Sequence, residues 1–308
     1  MAEKLNRRGF VGRTLGLSAG ALTGLSMEHQ ALFGQIGARR EDQEGGAEPV
    51  KGLQMGKLGG RSVSRLLIGG NLISGSAHAG DLLYQSALMT RYFTSEKIWE
   101  TWKLAEENGI NATLMRCDPH IIDHYTKYTK QMGGDLNWIA QSAPEQGDPV
   151  ENAKMARDSG AMAIYFHGGK ADNAVEQGKV EMIGEYVEGM KNTGILGVVG
   201  AHKLETIKAT VAAGIDPDFY MYTVNSVGYL SSDPSEIDDY MSKLNKPWIA
   251  FKVLGAGRDM PKEGFLHAFQ HGADFIAVGM FDWQVRDDAA LVKELLDGKI
   301  ERQRAWCA

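Results

Sequence analysis

Beyond residue 50 the chain alternates short, nearly continuous apolar runs with longer segments of mixed polarity. The runs fall at residues 65–69, 112–115, 138–140, 162–166, 195–199, 220–224, 248–253 and 275–278. Between them lie helix-like segments at 95–108, 149–159, 179–193, 203–213, 234–244, 262–271 and 287–296. This rhythm predicts repeated βα units and a parallel sheet. Many of the segments end on a glycine, at Gly109, Gly160, Gly194, Gly214 and Gly272, the residue that fits a left-handed helix C-terminus. Eight units in a stretch of roughly 250 residues match the size of a (β/α)8 TIM barrel, so residues 51–308 are read as one domain. A doubly wound open sheet gives the same alternation, but no G-x-G-x-x-G follows the first strand. The 70–94 connection is long for a barrel and carries glycine, serine, His78 and aromatics, as lids, binding loops and surface excursions do.

The first 50 residues carry a different pattern. Asn6-Arg7-Arg8-Gly9-Phe10-Val11 precedes a mildly apolar run from 11 to 25 that contains Arg13, Thr14, Ser18 and glycines. That is the pattern of a twin-arginine export signal, an address read by the twin-arginine export machinery. Residues 1–38 are taken as the signal segment, with a cut between about 21 and 38, where small residues recur. Residues 39–50 are a charged, glycine-containing leader that is expected to be unstructured. The run falls short of the ~20 apolar residues of a membrane span, and the mature chain has no other candidate. The expected location is the periplasm or another extracytoplasmic compartment.

Net charge is −6, and the mature part shows no cluster of Lys and Arg. A nucleic-acid surface is therefore not expected. The two cysteines, Cys117 and Cys307, are too few for a disulfide framework, and whether they are bridged stays open. Trp99 and Trp102, three apart on a helix-like segment, are expected to pack the core.

The segment Leu58-Gly59-Gly60-Arg61-Ser62-Val63-Ser64-Arg65-Leu66 resembles the opening of the aldo-keto reductase superfamily. Ala105-Glu106-Glu107-Asn108-Gly109-Ile110-Asn111 is similar to that family's approach to strand two, and Ala163-Ile164-Tyr165-Phe166-His167 to a strand four that ends in histidine. Residues 190–203 and 217–229, with Asn225, follow the fifth and sixth units. The resemblance implies a reductase barrel in which a tyrosine acid, assisted by lysine and aspartate, reduces a carbonyl with NADPH. Here the aspartate position falls on Leu114, no Asp-x4-Tyr follows, and the lysine position falls near Gln141. His167 alone is retained. Without a phenol of lowered pKa the reduction lacks its acid, and the closing segment Gly279-Met280-Phe281-Asp282 lacks basic residues for a 2′-phosphate. NADP is therefore not expected.

Barrel enzymes gather their chemistry at the C-terminal ends of the strands. The residues expected there are Asn71, Arg116, Asp118, His120, Gln141, His167, His202, Asn225, Lys252 and Asp282. In one reading His167, His202 and His120 hold a divalent metal such as Zn or Mn. In another, Lys252, surrounded by apolar residues, has its pKa lowered for Schiff-base use, or else pairs with Asp282 or Asp118. Gly255-Ala256-Gly257 with Arg258 can cradle an anion or form a tight turn, and Trp283 can face a sugar ring. The expected function is an exported enzyme that acts on a small sugar-like or carbonyl compound by metal- or lysine-assisted lyase, isomerase or hydrolase chemistry. In it His167, Asp118, Lys252, Arg116 and Asp282 act on the substrate, and Asn71, Gln141, Asn225, Arg258 and Trp283 bind it. The alternatives are an oxidoreductase exported with bound nicotinamide and a non-catalytic ligand-binding barrel.

Overall fold

A computed structural model of the chain describes residues 48–76, 78 and 82–308. The twin-arginine motif, the apolar run after it and residues 39–47 of the leader lie outside the described residues. The chain enters through a hairpin of β1 (Met55–Leu58) and β2 (Arg61–Ser64), which pair antiparallel. Gly59 and Gly60 link them at φ 54° and 82°, the two positive values that a two-residue type I′ turn demands. The sequence reading passed over this Gly-Gly signal.

Eight parallel strands follow: β3 (Leu66–Gly69), β4 (Ala112–Arg116), β5 (Asn137–Gln141), β6 (Ala163–Phe166), β7 (Leu196–Ala201), β8 (Tyr220–Thr223), β9 (Trp248–Phe251) and β10 (Phe275–Gly279). They form a closed barrel in sequence order, sealed where β10 pairs with β3 from Ile276↔Leu66 to Gly279↔Gly69. Each predicted apolar run coincides with a strand to within a residue or two. Strands buried on both faces have no polar side to show, and so read as unbroken apolar runs.

The helices are α1 (Gln85–Tyr92), inside the long first connection, α2 (Ser95–Glu107), α3 (Pro119–Gln131), α4 (Pro149–Asp158), α5 (Gly168–Glu176), α6 (Val180–Asn192), α7 (Leu204–Ala212), α8 (Pro234–Met241), α9 (Pro261–Gln270) and α10 (Asp282–Asp297). Three Asp-Pro pairs start helices. Asp118, Asp148 and Asp233 accept backbone N–H groups of α3, α4 and α8, while the proline behind each occupies the first turn, where its missing N–H costs nothing. α5 was not predicted, and α10 begins five residues before its predicted start.

Two apolar layers result. Leu67, Leu114, Ile139, Tyr165, Val198, Met221, Ile249 and Phe275 fill the barrel, with Leu58 and Val63 of the hairpin joining them from the N-terminal end of the strands. Trp102, Trp138, Tyr220, Trp248, Phe265 and Phe269 fill the space between sheet and helices. Trp99 packs at the edge of that layer. Cys117 is buried and Cys307 exposed, and both thiols are free.

At the N-terminal end of β10 stands Asp274, fully buried. Its carboxylate accepts the N–H of Trp248 (3.1 Å) and of Cys307 (2.8 Å) and pairs with Arg304. Arg302 lies 3.9 Å away, while Arg65 donates to the Asp274 carbonyl. The Arg65 and Arg302 guanidiniums stand 3.9 and 3.4 Å from the centroid of the Trp306 ring. One carboxylate thus joins β9, β10 and the C-terminal tail.

Between α8 and α9, His271 pairs with Asp238 at 2.5 Å and His267 lies against His271, ring centroids 4.2 Å apart. Burial first, and His271 second, push the His267 imidazole down to about 4.

Replacing Asp274 by alanine leaves Arg304 buried without its counter-charge, so stability is expected to fall by about 3–5 kcal/mol. Urea unfolding measures it, and a loss below about 1 kcal/mol would mean that the tail is not tied there. His267 is neutral in the folded chain well below the unfolded value of 6.5. Its contribution is therefore present above pH 6.5 and lost as pH falls toward 4. Between those limits stability is expected to drop by up to about 1.4 kcal/mol per pH unit from this group. His267→Gln should flatten the profile by that amount, and an unchanged slope would refute the assignment.

Candidate functional site

Alternate residues of each strand face the barrel interior. Leu114, Ile139, Tyr165, Val198, Met221 and Ile249 set that parity. Continued toward the C-terminal ends, it puts Arg116, Gln141, His167, His202, Thr223 and Phe251 on the inner side of the mouth. Leu114, at the aspartate position of the reductase pattern, is a packed interior residue below them.

His167 ends β6 and stands at the N-cap of α5, where its side chain makes no capping hydrogen bond. Its backbone N–H donates to the Ser142 hydroxyl at 3.0 Å. Its Nδ1 is buried and without a partner. Burial, followed by the charges of His202, Arg116, Lys170 and Lys252, holds this imidazole down at about 4. His167 is therefore neutral at ordinary pH.

His202 is fixed from behind. The buried Asp172 of α5 accepts from the His202 backbone N–H (3.1 Å), from its Nδ1 (2.9 Å), from the Lys203 N–H (3.3 Å) and from the Thr206 hydroxyl (2.7 Å). Burial acts to raise the Asp172 pKa, but the hydrogen bonds from His202 and Thr206 outweigh it and hold the carboxyl below its usual value. A carboxylate on Nδ1 fixes the tautomer and leaves Nε2 for other work. Gly168 passes so close that a Cβ there would lie 3.0 Å from the His202 ring.

Lys252 follows β9 with φ 56°, a left-handed conformation costly for a residue with a side chain. Burial lowers its amine to about 8. Its Nζ lies 5.6 Å from the centroid of Phe251, and the His202 ring lies 5.4 Å from the same phenyl. Among the described residues no carboxylate pairs with Lys252. Asp118 caps α3 and pairs with Arg116 at 3.2 Å, and Arg116 also pairs with Glu145. Asp282 is the first residue of α10 and accepts the Tyr92 hydroxyl (2.6 Å) and the Lys97 ammonium (2.8 Å). Both acids that could neutralise Lys252 are held by other partners.

The remaining expected residues have the following contacts. Asn225 exchanges two 2.8 Å hydrogen bonds with the backbone of Tyr229. Arg258 donates to the Gly255 carbonyl and stacks over the Tyr229 ring at 4.5 Å. Asn71 lies 3.3 Å from His78, and Gln141 ends β5 half-buried. Trp283 stacks on Phe281 with centroids 4.5 Å apart and one face exposed. His120 packs against His124 at 4.5 Å. Among the described residues no three His, Cys, Asp or Glu side chains come together as a metal-binding group.

The sequence reading missed Asp172, Lys170 and Thr223. The first two lie on the unpredicted α5, and a helix beginning at Gly168 would have put Asp172 one turn into it. Thr223 reads as strand filler, yet it is fully buried with a hydroxyl that has no partner.

Among the described residues no helix is long and apolar enough to cross a membrane. No protein-family model matches the sequence, and no curated protein matches it. Solved structures do match. A Pseudomonas aeruginosa protein described as an aldo-keto reductase aligns over 81% of this chain and 97% of its own, at 14% identity and TM-score 0.58. An aldo-keto reductase from Bacillus halodurans, in its holo form, aligns over 82% and 95% at 15% identity and TM-score 0.52. A truncated 3-deoxy-D-arabino-heptulosonate 7-phosphate synthase from Thermotoga maritima aligns over 81% and 92% at 11% identity and TM-score 0.51. The chain therefore has the closed (β/α)8 fold found in aldo-keto reductases and in a synthase, and at these identities the likeness is one of fold.

Proposed function

We propose that this barrel is an enzyme that attacks a small carbonyl compound with the Lys252 amine and carries out lyase-type chemistry through a Schiff base. The carrying observation is that Lys252 directly follows β9, half-buried with its Nζ 5.6 Å from the Phe251 ring, where burial lowers its pKa and no carboxylate among the described residues pairs with it. With its pKa near 8, roughly a tenth of the amine is neutral at pH 7 and able to act as a nucleophile. Nζ adds to the carbonyl carbon, the carbonyl oxygen takes up two protons and leaves as water, and a protonated imine remains. That imine accepts the electron pair of an adjacent C–C or C–H bond as it breaks. Hydrolysis returns the amine.

His167, neutral because of its depressed pKa, donates a hydrogen bond to the developing oxyanion without titrating. His202, held by Asp172, is the candidate for proton transfer at Nε2. Arg116 adds positive charge beside them. The reductase reading has less support: Leu114 and Gln141 stand at two positions of its machinery, and the phenol that meets both a lysine and an aspartate, Tyr92, is pushed up to about 12 by burial and by Asp282, which makes it a poor acid. In this proposal residues 1–38 direct the folded barrel out of the cytoplasm.

Borohydride added to the protein with small aldehydes and ketones should leave a reduced adduct on Lys252, read by peptide mass spectrometry, and Lys252→Arg should abolish it. Adducts spread evenly over surface lysines would rule the proposal out. Asp172→Asn should slow adduct formation about 100-fold while the same lysine is labelled. An unaltered rate would remove His202 from proton transfer.

A further inference from the structure

We infer that the cleft between α4, α5 and α6, outside the barrel mouth, binds a single-ring aromatic carboxylate, its ring against Phe166, Tyr186 and Met182 and its carboxylate at Lys170 and Lys179. The site goes beyond the Schiff-base reading and does not depend on it. Phe166, the last residue of β6, points outward into the layer between sheet and helices, whereas His167 after it turns to the mouth. The cleft behind Phe166 encloses about 350 Å³. That is the small end of the roughly 300–1,000 Å³ range of ligand sites, which limits the ligand to about one ring.

The walls are apolar and aromatic. Helix α5 turns one face to the cleft, with Lys170, Asn173, Ala174 and Gln177 at i, i+3, i+4 and i+7. Across from them stand Met182 and Tyr186 of α6. The Tyr186 and Phe166 rings stack with centroids 5.1 Å apart at 27°. Gly169 and Ala174 also line the cleft, and neither is large enough to fill it.

The rim is cationic and donates. Two lysines line the cleft and no carboxylate does. The acids on α5 are held elsewhere, Asp172 by His202 and Glu176 by Lys203. Lys179 donates to Gln177 Oε1 at 3.0 Å, and Gln177 Nε2 to Asn173 Oδ1 at 2.5 Å. These bonds occupy the amide oxygens and leave the Asn173 NH2 and the ammonium groups for a ligand. The backbone of the turn offers less, because the N–H groups of Lys170 and Ala171 already donate to the His167 carbonyl at 2.9 and 3.0 Å. Recognition of an anion therefore falls to side chains. An aromatic acid meets both halves of the cleft: its ring gains from the aromatic wall and the Met182 sulfur, its carboxylate from charge-assisted hydrogen bonds. An aliphatic acid loses the first gain and a neutral arene the second.

Calorimetric titration of the full chain with sodium benzoate should give a Kd below about 10 mM. Benzyl alcohol should bind at least about tenfold more weakly, and cyclohexanecarboxylate at least about threefold. Lys170→Gln, which exchanges one good helix former for another, should weaken benzoate about tenfold while the melting temperature holds. A Kd above about 10 mM, or equal binding of the neutral alcohol or of the saturated acid, overturns the aromatic carboxylate. Benzoate binding that survives both Lys170→Gln and Lys179→Gln, or that is lost with Lys252→Gln instead, puts the anion elsewhere and overturns the cleft. None of these outcomes bears on the Schiff base, which the trapping experiment decides.

Discussion

Closure of the sheet is the constraint on which everything else depends. A parallel sheet exposes two unsatisfied edges until its last strand meets its first, and here that seam is the four-residue register of β10 against β3. The seam is reinforced where it begins. The Asp274 carboxylate gathers Trp248, Cys307 and Arg304 at the N-terminal ends of β9 and β10, and Arg65, just before β3, reaches across to the Asp274 carbonyl. A buried charge is tolerable only when it is paired and hydrogen-bonded, and the network meets that condition with the chain's last residues. The foot of the strands is thus tied by one buried carboxylate, whereas the mouth leaves Lys252 without a carboxylate partner among the described residues.

That asymmetry gives the mouth its character. Arg116 is neutralised twice, by Asp118 and Glu145, while no carboxylate among the described residues pairs with Lys252. His167 yields its proton and stays neutral. Asp172 performs the opposite service for His202, binding it from the helix side with a carboxylate that also holds the next backbone N–H. Histidines that look equivalent as strand-end residues in the sequence are thereby given different roles.

The strands were legible because burial on both faces leaves no polar positions to blur them. The (β/α)8 closure followed from counting eight of them. The hairpin was not legible in the same way, since its four-residue strands are half polar and its one clear signal, Gly59-Gly60, was read as part of a longer likeness. α5 escaped because Gly168-Gly169-Lys170-Ala171-Asp172-Asn173 opens with glycines and offers no apolar stripe. Among the site residues, those fixed by strand parity were readable: Arg116, Gln141, His167 and His202. What each one touches was not, because pairing partners such as Lys97 for Asp282 and Asp172 for His202 come from elements that only tertiary packing brings together. Asp282 shows the cost of a boundary error, for five residues of unrecognised helix turned a helix-start carboxylate into an expected strand-end one.

The left-handed backbone at Lys252 has a consequence for how this position tolerates change. Glycine would adopt φ 56° without strain, and it would also remove a half-buried cation that no carboxylate among the described residues pairs with. On stability alone the site favours losing its side chain. If Lys252 acts as proposed, its side chain trades stability for activity, and a selection for thermal resistance that ignored turnover would favour replacing it.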